Sequence, residues 1–240
     1  MTHRKEAQLQ RLSVLPAGEI RIRLRMSIID DDTNLEVGRR KDTAMEVLPT
    51  DNHDEQLSRT DVRLGAVGFP SLTDEVSTRI IALCDTEHTV ERVEEFRNPT
   101  PDLDMELRQE TRFSIVSILR DGMIGVRLSR CLIENGIVIS PPKYHRFNLY
   151  PIHEPDGMLN LVSNDLKEEG YEVRAGEMER IKAICVCDHT PLIVAAYNLR
   201  HWTQQVEFLE AQKDAPKMQQ AIADADVSLS EAQAAYDALI

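Results

Sequence analysis

The chain predicts an α+β fold: two related units of antiparallel hairpins, each backed by a helix, followed by a C-terminal helical appendage. Three observations lead there. Arg79-Ile80-Ile81-Ala82-Leu83-Cys84 through Thr89 matches Arg180-Ile181-Lys182-Ala183-Ile184-Cys185 through Thr190 without a gap. Pro49, Asp54, Leu57, Leu64, Gly68 and Phe69 pair with Pro151, Asp156, Leu159, Leu166, Gly170 and Tyr171, each 102 positions later. Asp121-Gly122 and Asn135-Gly136 stand between apolar runs, where both turn residues need positive φ and a tight hairpin follows. Self-similarity at a fixed period sets the architecture before any single element is assigned. It reads as a tandem duplication of a unit of roughly 90–100 residues, with matching spans near 9–97 and 113–200. The domains follow as 1–98 with a short N-terminal helix, 99–205, and 206–240 for the appendage.

In unit one, Thr2 to Gln10 is a polar stretch expected to be helical. Glu19 to Met26 alternates strictly, placing Ile20, Ile22, Leu24 and Met26 on one face and Arg21, Arg23 and Arg25 on the other, a half-buried strand. Asp30-Asp31-Asp32-Thr33-Asn34 is turn chemistry, since short polar side chains bond locally and tolerate left-handed backbone. A strand over Thr43 to Leu48 stops at Pro49. Asp54 caps a helix that carries Leu57 and Leu64 on one face and ends at Gly68. Arg79 to Cys84 reads as a strand, and Thr89 opens a short acidic helix to Arg97.

Unit two repeats the plan. Strands are expected over Phe113 to Leu119, Ile124 to Ile133, Ile137 to Ser140 and Tyr144 to Tyr150. Asp156 opens a helix to about Glu169, Gly170 ends it, and Glu179 to Cys187 reads as a strand. Thr190-Pro191 is a helix start, a capping hydroxyl before a proline at the first helical position, and that helix runs toward Lys213. Asn98-Pro99-Thr100-Pro101-Asp102 is the linker, because two prolines deny both helix and ladder. Pro216 to Ile240 reads as two short helices, with Ser230 capping the second.

Composition narrows the function. The net charge is −13 and the pI is about 5.0. A sequence-independent nucleic-acid binder needs a basic face, so nucleic acid is excluded as a partner, as is an anionic membrane. No apolar run approaches the roughly 18–20 residues that span a bilayer, and Met1 to Glu6 turns polar too soon for a signal peptide, so a protein cytosolic when made is expected. Four cysteines in such a compartment are free thiols.

Cys84, His88, Cys185, Cys187 and His189 are the one cluster of metal-ligand residue types. On a strand, Cys185, Cys187 and His189 share a face, and two units packed about a two-fold bring all five together as a tetrahedral zinc site. The simpler reading has the cysteines packed as small hydrophobes and the histidines bonded locally, so no cofactor or metal is expected. His53-Asp54, His145-Arg146 and His153-Glu154 are neighbours that face opposite ways on an extended chain. No phosphate loop or nucleophile elbow occurs, and Asp30-Asp31-Asp32 lacks the spaced ligands and glycine of a calcium loop. The chain therefore reads as non-enzymatic.

The stretch Ser117-Ile118-Leu119-Arg120-Asp121-Gly122-Met123-Ile124-Gly125-Val126-Arg127, then Ile133-Glu134-Asn135-Gly136, Tyr144-His145-Arg146 and Thr190-Pro191, resembles small tail-associated proteins of tailed bacteriophages. The likeness covers unit two and shows faintly in unit one, at Gly18, Ile20 and Arg23. It implies a structural or adaptor part of a phage tail, baseplate or fibre attachment, located in the virion and bound to other virion proteins. With the repeat, it implies a homo-oligomer, trimeric or hexameric. The surfaces expected to carry contacts are Arg21, Arg23 and Arg25, Tyr144 and Arg146, and Trp202 and Tyr236 in the C-terminal helices. The alternatives are a soluble binding module, such as an assembly chaperone or an inhibitor of a host protein, and a zinc protein built on the Cys/His cluster.

Overall fold

The computed structural model describes residues 3–31, 36–37, 41–50, 52–98, 107–134, 137–171, 173, 175–211 and 218–240. The Asp32-Thr33-Asn34 end of the acidic turn, the Pro99-Pro101 linker and the Asn135-Gly136 turn lie outside them. The fold is mixed α+β. Strands β1 (His3–Val14), β2 (Ile20–Asp30) and β3 (Lys41–Val47) precede helices α1 (His53–Ala66), α2 (Asp74–Glu87) and α3 (Val90–Arg97). Then come β4 (Arg108–Leu119), β5 (Ile124–Glu134), β6 (Ile137–Val138), β7 (Lys143–Leu149) and helices α4 (Asp156–Glu168), α5 (Ala175–Asp188), α6 (Pro191–Glu210) and α7 (Met218–Asp237).

One curled antiparallel sheet runs β3-β2-β1-β4-β5, with β6 and β7 lying end to end along the outer side of β5. The two halves join where β1 meets β4. Leu12 faces Ile118, Ser13 faces Ser117 and Val14 faces Val116, so the pairing is reciprocal about Ser13 and Ser117. The hairpin turns agree in detail. Leu15 N–H bonds Glu19 O and Gly18 N–H bonds Leu15 O, while Leu119 N–H bonds Met123 O and Gly122 N–H bonds Leu119 O. Both glycines have positive φ, +93° and +81°.

Helices cover one face of the sheet. Leu12, Val14, Ile20, Ile22, Leu24, Val116, Ile118, Ile124, Val126 and Leu128 pack against Leu57, Leu64, Ile80, Leu83, Leu159, Leu166, Ile181 and Ile184 in one continuous core. Burying such aliphatic side chains contributes about 1.5–3 kcal/mol each. The opposite face carries the arginines of β2, of which Arg21 and Arg23 are exposed.

Several expectations are corrected. Within the stretch expected to be helical, His3 to Gln10 is strand, because Ala7 and Leu9 alternate inward and, after a bulge between Leu9 and Arg11, Leu12 and Val14 continue the buried side. The bulge hides the period of two. Arg79 to Cys84 and Glu179 to Cys187 are helix, not strand. Ile80, Leu83, Cys84 and Glu87 in α2, and Ile181, Ile184, Cys185 and Asp188 in α5, are buried at spacings of three and four, which is one stripe of a helix. The start of α2 is marked by Thr73, whose hydroxyl accepts from Val76 N–H, with Asp74 and Glu75 in the first turn. Each half is thus backed by more than one helix. Among the described residues the C-terminal segment forms one helix, α7, and Ser230 lies inside it rather than capping a second one. The α1 cap is Asn52, whose side chain accepts from Glu55 N–H, with Asp54 in the first turn. The Thr190-Pro191 start stands as expected.

Candidate functional site

The seam between the halves is held by two crossed ion pairs. Arg79, on α2, donates from Nε to Asp188 Oδ1 at 2.6 Å and from Nη2 to Asp188 Oδ2 at 2.9 Å, at the end of α5. Arg180, on α5, donates from Nε and Nη2 to Glu87 Oε2 at 2.8 and 2.5 Å, at the end of α2. Each arginine also reaches the other half's hairpin, Arg79 Nη2 to Leu119 O at 3.2 Å and Arg180 Nη2 to Leu15 O at 3.1 Å. Glu87 is fully buried, Arg92 of α3 adds a third contact to Oε2 at 2.7 Å, and Oε1 has no hydrogen-bond partner among the described residues. The guanidinium of Arg180 lies 4.1 Å from the Phe113 ring centroid. Burial lowers the Arg180 pKa while Glu87 pulls it back up.

Just past each of these helices stands a histidine. His88 Nε2 bonds Gly18 O at 3.0 Å and His189 Nε2 bonds Gly122 O at 3.0 Å. The carbonyl only accepts, so both Nε2 atoms carry the proton and each Nδ1 has a lone pair. In the second half Ile152 N–H donates to His189 Nδ1 at 3.4 Å. In the first, His88 Nδ1 faces His53 Nε2 at 3.2 Å, and His53 Nδ1 lies 2.8 Å from Asp85 Oδ1. Burial pushes His88 down to about 4 and lowers His189 as well. The thiols of Cys84 and Cys185 are pushed up to about 12, again by burial.

Of the five Cys and His residues singled out in the sequence, Cys84 and His88 come together, and His53 joins them. One ligand atom from each lies within 4.8 Å of the other two. Cys185, Cys187 and His189 do not complete that group. They lie on and just beyond α5, so the shared strand face expected for them does not exist. Cys187 sits across the helix pair beside Thr86 and near Cys84. His53 was passed over because Asp54 is its neighbour in sequence; its acidic partner is Asp85, a helix away.

No family model, curated protein or solved structure matches the chain.

The expected contact residues sit in different surroundings. Arg21 and Arg25 are matched within the chain, to Glu46 at 2.6 Å and to Asp42 at 3.0 Å across the β2–β3 ladder, while Arg23 is exposed opposite Ala44. Arg146 faces Arg127 across β5–β7, and the Arg127 guanidinium stacks 4.9 Å from the Tyr144 centroid. Trp202 is half-buried on α6 beside His201, and Tyr236 is half-buried on α7, which packs along α6. Sequence reading missed the apolar edge next to Tyr144. Ile137, Val138 and Ile139 are 66%, 48% and 50% exposed. Beside them is a cleft of about 430 Å³ lined by Arg130, Leu132, Pro141, Pro142 and Lys143. No helix among the described residues is long and apolar enough to cross a membrane.

Proposed function

We propose that the chain is a non-enzymatic structural or adaptor component of a tailed-phage particle, at the tail, baseplate or fibre attachment, and binds other virion proteins. The observation that carries this is the contrast between the two sheet edges. The β3 edge presents Lys41 and Asp42, charges that discourage strand addition. The β6 edge presents Ile137, Val138 and Ile139 to solvent, next to the exposed Tyr144. β6 is only two residues long, which limits strand addition, so it is the exposed apolar side chains that mark a docking surface. The α6–α7 arm adds Phe208, Val227, Leu239 and Ile240, all exposed. These features lie in the second half, where the resemblance to tail-associated proteins is carried.

Tandem duplication is part of the same reading. It is supported by the matched residues, the matched order of strands and helices, and the reciprocal seam. A two-fold relation between units constrains any assembly. Three chains about a threefold axis, with the local two-fold perpendicular to it, would set six units in two opposed layers of three.

Mass spectrometry of purified particles from the source that carries this chain tests the reading. Stoichiometric persistence in the particle is expected. Presence during assembly and loss from the finished particle would replace the structural part with an assembly chaperone.

A further inference from the structure

We propose that His53, Cys84 and His88 form a binding site for one transition-metal dication, zinc first, in the first half of the chain only. The inference is independent of the virion reading.

Hydrogen bonding leaves two lone pairs aimed at one place. His88 Nε2–H is committed to Gly18 O, so Nδ1 is the acceptor side of that ring. Asp85 is a carboxylate 2.8 Å from His53 Nδ1, so His53 donates there and Nε2 is the acceptor side of its ring. The two acceptor nitrogens then face one another at 3.2 Å. Neutral rings in these orientations repel, and a cation between them removes the conflict. Two nitrogens bound to tetrahedral zinc at about 2.0–2.1 Å stand about 3.3 Å apart, close to the separation found here.

The third ligand and the outer shell agree. Cys84 lies one helical turn before His88 and presents its sulfur to the same side, within 4.8 Å of both nitrogens. Thiolate with two imidazoles suits zinc, and His2Cys sets also hold copper. Ligating histidines characteristically donate their other nitrogen to a carboxylate or a backbone carbonyl. His53 does so to Asp85 and His88 to Gly18. The Cys84 thiol gives up its proton when the ion binds, so uptake releases a proton and strengthens with pH. His53 is the partly exposed member, with 15% of its side chain open, so an ion enters past α1 and a fourth position is left to water.

The second half is an internal control. Its Cys185 and His189 occupy the matching positions, but Pro155 stands for His53 and Val186 for Asp85. There the lone pair of His189 is taken by Ile152 N–H. The two residues that complete the first site are the two absent from the second.

The test uses the full chain, stripped of metal with a chelator and titrated with zinc against a chromophoric competitor, then with cobalt(II). One zinc per chain is expected, with a near-ultraviolet thiolate-to-cobalt charge-transfer band. His53→Ala should abolish both, and Asp85→Asn should weaken affinity 10–100-fold. Cys187→Ser should change neither. Absence of the band in the wild-type protein, or zinc binding that His53→Ala and Asp85→Asn leave unchanged, would overturn the site and assign the cation between the rings to a proton.

Discussion

Arg180 and Glu87, 93 residues apart in the chain, meet in a two-donor contact on the single oxygen Oε2, with Glu87 fully out of solvent. Its counterpart across the seam is Arg79 with Asp188. Removing one partner of a buried pair strands the other charge, at a cost of about 3–5 kcal/mol. Arg92 still holds Oε2 at 2.7 Å, so Arg180→Met should lower the free energy of unfolding by less than that amount. In a Glu87→Gln background the same change should cost less, with a coupling of about 0.5–3 kcal/mol by double-mutant cycle in denaturant. Strict additivity would mean that the seam is held by apolar packing and that the ion pair contributes no net attraction.

The two turn glycines tolerate a side chain differently from the helix-ending ones. At Gly122 an added Cβ would lie 2.3 Å from Ile193 Cγ2 and 3.0 Å from Pro151 Cγ, at a φ of +81°. At Gly68 the φ is also +81° but the space is open. Gly68→Ala should cost only the left-handed backbone penalty, about 1–2 kcal/mol. Gly122→Ala should cost more, because overpacking adds about 1–3 kcal/mol. Equal midpoints for the two variants in urea would show that α6 shifts freely away from the hairpin.

Stability should fall on the acid side through His189. Burial lowers its pKa in the folded chain, so the folded state stays neutral where the unfolded chain takes up a proton. The contribution is complete above the ordinary histidine value of about 6.5 and is lost as pH falls below it toward the lowered folded value. Unfolding free energy measured between about pH 7 and 5 should rise with pH, and His189→Gln should flatten that slope. An unchanged slope would assign the acid sensitivity to other groups.

The β6 edge should matter to association and not to folding. Ile137→Asp with Val138→Lys changes side chains that are 66% and 48% exposed, so unfolding should move by no more than about 0.5 kcal/mol. Binding to the partner, or self-association by light scattering, should weaken at least tenfold. Retained association would move the docking surface to the α6–α7 arm.

Much of the fold follows from local pattern. The β2 alternation, the Asp121-Gly122 turn, the Thr89 and Thr190 caps and the terminating Gly68 and Gly170 each act within a few residues, and each stands where the sequence puts it. The errors fall where two periods compete. In β1 a bulge breaks the alternation, and in α2 and α5 a short apolar run suits strand or helix equally until the sheet supplies a face to pack against.

By itself the sequence determined that the chain is α+β and that its two halves match residue for residue over short stretches, and it grouped Cys84 and His88 with Cys185, Cys187 and His189. Only the tertiary structure decided what completes Cys84 and His88. His53 lies on α1 and Asp85 on α2, and helix packing brings them within hydrogen-bond reach. The crossing of Arg79 to Asp188 and Arg180 to Glu87 is likewise absent from any local pattern. The physical reason is the same in each case. Propensity and capping act over a turn or two, whereas a pairing between distant side chains exists only once a shared core has fixed where their backbones lie.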